Sequence, residues 1–506
     1  MAGGGEAAVR PGPVYLTVLV IASCGLVYEL VAGTLASYLL GDSVTQFSLV
    51  IGFYLTAMGI GAFLTRFVAR NVARRFVEAE TAVALIGGLS APVLFFAFSS
   101  PRWFHPVFFG IVLLVGILVG VEIPLLMRLL KDSVVFKDLV AQVLTFDYLG
   151  SLAASVLFPL VLVPRLGLVR TSVLFGLLNA AVAFWSIRLF SREIGPAGGL
   201  LARAGLVVVL LFGAFGAADR LTTLAEETQY ADDVIVAKST PYQRIVVTRN
   251  RAGFQLFLSG HLQFSSVDEY RYHEALVHPA FGVVPGAKKI AVLGGGDGLA
   301  VREVLKHRSV ERVTLVELDP AMTALARTHP LFTEQNGSSL SDPRVTVVNA
   351  DAMIWLEEGT DLFDLILVDF PDPNGYSVGK LYTTRFYTLA KRRLDPAGAM
   401  AVQSTSPLFA RTSFWIVART VEAAGFFVRP YQMTVPSFGV WGYVLASPRP
   451  FEVPARVLPD LRALSDATLP ALFTFGPDIA PVDVPVNRLN DQVLVRTYER
   501  EWKKFD

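Results

Sequence analysis

At 506 residues the chain is too long for one domain, and 53% hydrophobic against 17% charged residues, with a mean hydropathy of +0.51, is too apolar for an ordinary soluble protein. Lys and Arg (44) balance Asp and Glu (43) to leave a formal charge of +1, which argues against a nucleic-acid partner and against an acidic disordered chain. The single cysteine, Cys24, excludes an intramolecular disulfide and a Cys-rich metal site, and the sequence offers no other metal site.

The apolar runs concentrate in residues 1–217. Crossing a bilayer takes about 20 apolar residues, and seven runs qualify: 14–40, 46–65, 80–98, 105–127, 139–163, 170–189 and 200–217. With a cytoplasmic N-terminus the inside loops hold eleven Lys and Arg, from Arg10 to Arg203, against three outside, namely Arg102, Arg165 and Arg170. Positive charge stays on the cytoplasmic side, so this is the expected orientation in a cell (inner) membrane, and seven crossings then place the C-terminal part outside. Glu29, Glu122 and Asp147 fall inside spans. An ionised carboxylate there costs several kcal/mol unless it faces a partner or a wet cavity, so these three either hold the bundle together or line a path for a cation.

Residues 218–285 read as a linker and a β-hairpin lead, with short apolar runs alternating with Gly and Asn breaks over 242–265. From 286 to 506 the pattern changes to strands alternating with helical stretches, the signature of a parallel sheet. The predicted fold is therefore a multi-pass α-helical membrane bundle followed by an α/β Rossmann-like domain with a small β lead. KKIAVLGGGDG is a buried strand entering a glycine turn, and VERVTLVELD, VTVVNAD and DLILVDF each end in acids. Parallel sheets bind ligands at the carboxyl ends of their strands, where these acids gather.

Gly294, Gly295, Gly296 and Gly298 lie between strand and helix, and Glu317 closes the next strand 23 residues after Gly294. That spacing fits an acid binding ribose hydroxyls beside a glycine turn that a nucleoside approaches closely. Asp297 inside the turn would repel a pyrophosphate, which disfavours NAD. It would equally repel the carboxylate of S-adenosylmethionine, yet attract a ligand ending in a bare ammonium, such as decarboxylated S-adenosylmethionine. Asp369 and Asp372 in VDFPDP, with Pro371 and Pro373 stiffening the loop, add two carboxylates that need a cation between them or a shared proton.

From Tyr242 to about Ser447 the chain resembles the polyamine aminopropyltransferases, the spermidine synthase family, through YQRIVV, SGHLQFSSVDEYRYHE, VLGGGDGLAVREVLKH, VELD, NAD, DFPDP, LYTTRFY and VQS. The segments VYEL, GIGAFLTR and FDYLGS, with the tail VNRLNDQVLVRTYEREW, resemble the branch of that family fused to membrane spans. The resemblance implies that Gln243, Asp297 and Asp369 hold the aminopropyl tail of decarboxylated S-adenosylmethionine, Glu317 its ribose and Asp351 its adenine. It implies further that Tyr272 and Asp369 flank the attacking amine of a diamine or polyamine, that Gln263, His273, Asp372 and Gln403 line the rest of the substrate pocket, and that the chain forms a homodimer in the lipid bilayer. A donor made in the cytosol conflicts with the side of the membrane read from the loop charges.

Two positions depart from the family pattern. Ser259 stands where an Asp is common, and Phe438 where soluble members place a tyrosine, which puts the identity of the acceptor amine in question. Two other readings remain open: a methyltransferase using S-adenosylmethionine on a membrane substrate, and a polyamine transporter or sensor whose synthase-like domain only binds.

Overall fold

The computed structural model describes residues 11–40, 43–98, 101–131, 135–218, 220–221 and 230–504, and the chain forms two compact units, Met1–Asp232 and Asp233–Asp506. Arg10 of the orientation count lies outside the described residues.

The first unit is helical. Among the described residues six helical stretches are long and apolar enough to cross a membrane: Gly12–Ser37, Thr45–Phe67, Val72–Phe98, Trp103–Leu130, Lys137–Leu189 and Gly198–Gly216. Two of the expected spans, 139–163 and 170–189, fall within one helical stretch of 53 residues. No polar loop separates them. The backbone is interrupted instead by a π-helical turn at Phe158–Leu162 and by Gly167, whose φ of 71° and ψ of 175° are not helical. At 1.5 Å per residue such a stretch is roughly 80 Å long, far beyond a hydrocarbon core of about 30 Å, so it has the length for two passes meeting at Gly167. Leu160, Leu206, Val209 and Phe212 are exposed on this unit, the apolar exterior that lipid requires.

Inside the bundle some of the buried polar groups pair. Glu80 and Glu122 are fully buried on two different helices. Asn179 donates its amide to Glu80 Oε2 at 2.8 Å and accepts the Tyr28 hydroxyl at 3.0 Å. Glu29 and Asp147 are only half-buried. Glu80 was not singled out by sequence because it opens the apolar run, whereas the helix begins a further two turns earlier at Val72.

The second unit carries two sheets. β1 (Asp233–Ser239), β2 (Arg244–Arg249), β3 (Phe254–Leu258) and β4 (His261–Ser265) form an antiparallel sheet in sequence order, which is the predicted β lead. The turn joining β3 to β4 is Ser259–Gly260, with φ of 50° and 84°. A two-residue hairpin needs positive φ at both positions, so the departure at Ser259 sits in a turn.

The larger sheet runs β10-β11-β9-β8-β5-β6-β7, with β5 (Lys289–Gly294), β6 (Arg312–Glu317), β7 (Val345–Asn349), β8 (Phe363–Asp369), β9 (Leu394–Gln403), β10 (Phe427–Val435) and β11 (Gly439–Ser447). β9, β8, β5, β6 and β7 are mutually parallel, and β10 and β11 add an antiparallel edge. Buried apolar clusters cover both faces of the sheet. Because strand order reverses between β5 and β8, the carboxyl ends of β5, β6 and β8 open onto one crevice.

Candidate active site

Glycine makes the crevice possible. Gly294 and Gly295 have φ of 82° and 65°, and a Cβ on Gly295 would lie 2.8 Å from Asp369 Oδ2. At Gly296 a Cβ would lie 2.7 Å from the Glu317 side chain. Without side chains the turn lies flat against the acids ending β8 and β6, and the Gly295 amide donates to the Asp369 carbonyl at 3.0 Å.

The crevice is a cavity of about 370 Å³, within the range of small-molecule sites. Its wall includes Gln243, Gln263, Tyr272, His273, Gly294, Gly296, Asp297, Glu317, Asp351 and Asp369, ten of the twelve site residues read from sequence in the second unit. Asp372 and Gln403 are not on the wall. They lie behind Phe370 and Pro371, where Gln403 Nε2 donates to the Phe370 carbonyl and to Asp372 Oδ1 at 3.3 Å.

At one end, the Tyr272 hydroxyl donates to Asp369 Oδ1 at 2.6 Å. Burial, and then the neighbouring Asp369 charge, push the tyrosine well above its usual range, so it stays a donor. Burial also raises Asp369, against the pull of the His273 charge and the Tyr272 hydrogen bond. Asp297 is pushed up to about 6, first by burial and then by Asp369, with His273 opposing. Two carboxylates and one imidazole thus meet in a buried part of the pocket.

His273 carries the balancing charge. Its Nδ1 lies 2.8 Å from Glu269 Oε2. Burial alone would lower the imidazole, but the Glu269 carboxylate outweighs it and holds His273 at about 9. Arg302 clamps both oxygens of Glu269 at 2.9 and 3.0 Å, and Gln335 donates to Oε1 at 2.6 Å. Burial opposes the ionised form of Glu269, yet His273 and Arg302 bring it down to about 2.

At the other end burial holds Glu317 at about 7, while its Oε1 accepts the Asp319 amide at 2.9 Å. Asp351 caps the helix Ala352–Glu358, accepting from Met353 N at 2.9 Å, and turns its other oxygen to Lys380 Nζ at 2.5 Å. It is a cap and a wall residue at once. Gln243 donates to Asp319 Oδ2 at 3.0 Å, which ties the β lead to the main sheet. Among the described residues no group of His, Cys, Asp or Glu is arranged to hold a metal ion.

Over residues 269–454 the chain matches the family described as Spermine/spermidine synthase domain. A polyamine aminopropyltransferase of Leptospira interrogans is 50% identical over 491 residues, covering 97% of this chain and 99% of its own. The chain belongs to the polyamine aminopropyltransferase family. Polyamine aminopropyltransferase 2 of Ralstonia nicotianae is 51% identical over 498 residues, 96% of this chain and 97% of that one. The match runs through the apolar N-terminal unit as well as the α/β unit. A solved structure described as spermidine synthase in complex with the transition state analogue AdoDATO is 28% identical, covers 48% of this chain and 85% of that chain, and has a TM-score of 0.45.

Several residues around this crevice escaped the sequence reading. Glu269 and Arg302 hold His273, Asp319 holds Gln243, and Lys380 holds Asp351. Glu269 stands four residues before His273 on one helix, a spacing that places both on one face. That was the one signal available; the rest depend on packing. Phe438, the second departure, packs among aromatics at tilted angles, 6.2 Å from the Tyr272 ring and 4.9 Å from Trp441.

Proposed function

We propose that the chain transfers the aminopropyl group of decarboxylated S-adenosylmethionine to a diamine such as putrescine, releasing methylthioadenosine, while its N-terminal helices hold it in the cell membrane. The observation that carries this reading is that Asp369, hydrogen-bonded to Tyr272, faces the same cavity as Glu317 and Asp351. A nucleoside held by Glu317 and Asp351 along the glycine turn directs its cationic tail at Asp297 and Asp369, which supply negative charge and no competing anion.

In the reaction the amine nitrogen attacks the aminopropyl carbon beside the sulfonium. The new C–N bond forms as the C–S bond breaks, and its electron pair returns to sulfur. An ammonium has no lone pair, so the proton must leave first. Asp369 Oδ1 is occupied by Tyr272, and Oδ2, beside Gly295, takes the proton. A base and an in-line pose together account for several kcal/mol of the barrier. Asp297 weighs against a methyltransferase, because its carboxylate would face that of the intact donor.

The detergent-purified full chain should release methylthioadenosine when given decarboxylated donor and putrescine, and should form spermidine. No donor consumption with any diamine or polyamine would sink the proposal. Light scattering of the same sample tests the homodimer. An even number of crossings keeps the C-terminal unit with the cytosolic donor and an odd number places it outside; a reporter fused after residue 506 reads which.

A further inference from the structure

The tail beyond the larger sheet is stitched to the active-site end of the domain. Asn487 donates Nδ2 to the Tyr382 carbonyl at 2.9 Å, gives its backbone amide to Thr420 Oγ1 at 2.9 Å, and accepts Leu494 N at 3.1 Å. Glu501 accepts from Thr412 N and Ser413 N, each at 2.9 Å, capping the helix Arg411–Ala423. The helix Val493–Trp502 is therefore pinned at both ends, with Leu494, Val495 and Tyr498 turned inward. It packs against the cavity wall: a Cβ on Gly379, between the wall residues Val378 and Lys380, would collide with Val495 of the helix and lie 2.7 Å from Oε1 of its N-cap Gln492.

From this helix the Tyr498 hydroxyl donates to Asp372 Oδ2 at 2.8 Å. Thr405 Oγ1 donates to the same oxygen at 2.9 Å, and Gln403 Nε2 to Oδ1 at 3.3 Å. Three neutral donors hold a buried carboxylate three residues from Asp369, on a loop stiffened by Pro371 and Pro373. The titratable neighbours are Tyr382, which faces both Asp369 and Asp372, and Tyr498 itself.

We propose that Tyr498 is a positioning residue for aminopropyl transfer, fixing Asp372 and with it the Asp369–Pro373 loop, so that the C-terminal helix sets how tightly the acceptor amine is held. This rests on the reading that the amine occupies the Tyr272–Asp369 end of the cavity. The helix also packs against Gly379, beside the Lys380 that holds Asp351, but the Tyr498 hydroxyl takes no part in that contact, so its removal should leave the donor end, at Glu317 and Asp351, as it is. Burial pushes Asp372 up to about 6, and the Tyr498 hydrogen bond opposes that rise. Removing the hydroxyl raises Asp372 further and moves the acidic limb of activity to higher pH.

The test is Tyr498→Phe in the full-length, detergent-purified chain, which keeps the ring against Trp502 (5.8 Å between centroids). A hydrogen bond to a charged group corresponds to about tenfold or more in affinity. KM for the diamine should rise by about that factor, KM for the donor should stay within about twofold, and the acidic limb should move up by about one pH unit. Adding Tyr498→Phe to Asp372→Asn should cost nothing beyond Asp372→Asn alone, because the hydroxyl acts through that carboxylate. An unchanged amine KM and pH profile in an active enzyme would overturn the proposal, and so would a loss shared equally by both substrates with a lowered melting temperature. A wild-type chain that consumes no donor would instead overturn the reading on which the proposal rests.

Discussion

Glu269 makes no contact with the reacting atoms, yet Glu269→Gln should change how activity depends on pH. Its carboxylate lifts His273 from 6.5 to about 9. At 1.36 kcal/mol per unit that is about 3 kcal/mol of preference for the imidazolium, comparable with the roughly 4 kcal/mol of two charges 4 Å apart at an effective dielectric of 20. A neutral glutamine returns His273 to the neutral form at pH 7. Asp297, already at about 6, and Asp369 then lose the cation that opposes their protonation. A protonated Asp369 cannot accept the amine's proton, so the acidic limb of kcat/KM should move up by about one unit, with activity about tenfold lower on that limb and about twofold lower at pH 7. Near pH 9 the defect should shrink, because the wild type loses its own imidazolium there.

Stability gives a second readout of the same substitution. His273 titrates higher in the fold than its ordinary 6.5, so its contribution is complete below 6.5 and is lost as pH rises through about 9. Glu269 titrates lower than its ordinary 4.5, so its contribution is complete above 4.5 and is lost as pH falls through about 2. The melting-temperature gap between wild type and variant should be widest between these limits, near pH 5.5, and narrow by pH 9.5. Superimposable pH–rate profiles with a gap constant in pH would refute the charge-balance reasoning.

Asp369→Asn keeps the shape of the site and removes the base; kcat should fall by roughly 10²- to 10⁴-fold while calorimetry shows the donor still binding, and near-normal turnover would exclude proton transfer to Asp369. Gly295→Ala places a Cβ 2.8 Å from Asp369 Oδ2 at a φ of 65°, so it should cost about 1–2 kcal/mol of stability and nearly all activity, read by thermal melts and methylthioadenosine release. In the bundle, Glu122 is fully buried against the Glu80 carboxyl, and among the described residues neither of its oxygens accepts from an N–H group or a hydroxyl. Glu122→Gln should therefore leave the melting temperature in detergent unchanged or raised, and a marked fall would show that the carboxylate itself holds the helices.

The site was legible where its position follows from topology. Parallel strands bring their carboxyl ends to one edge, so Glu317, Asp351 and Asp369 could be placed together from three strand-shaped runs each ending in an acid. Asp297 followed from its place within the glycine turn. Structure put Asp297 and Asp369 on one cavity, as the charge reasoning required. It moved Asp372 and Gln403 off the wall, because both are consumed by hydrogen bonds to Phe370, Thr405 and Tyr498 that a linear pattern does not display.

The membrane unit divides in the same way. Apolar runs of about 20 residues announce themselves, since the bilayer imposes a length, but the joining of two runs across Gly167 depends on a backbone interruption rather than a polar loop. Composition and periodicity alone determined that this chain couples an apolar helical part to a parallel α/β domain whose strand ends carry acids. Which of those acids are balanced, and by whom, only the tertiary structure decided. Tyr272 meets Asp369 across 97 residues of chain, Tyr498 meets Asp372 across 126, and Asn179 meets Glu80 across 99. Such partnerships are set by how helices and sheets pack, and a charge's protonation follows from its neighbours and its burial, neither of which a position in the sequence specifies.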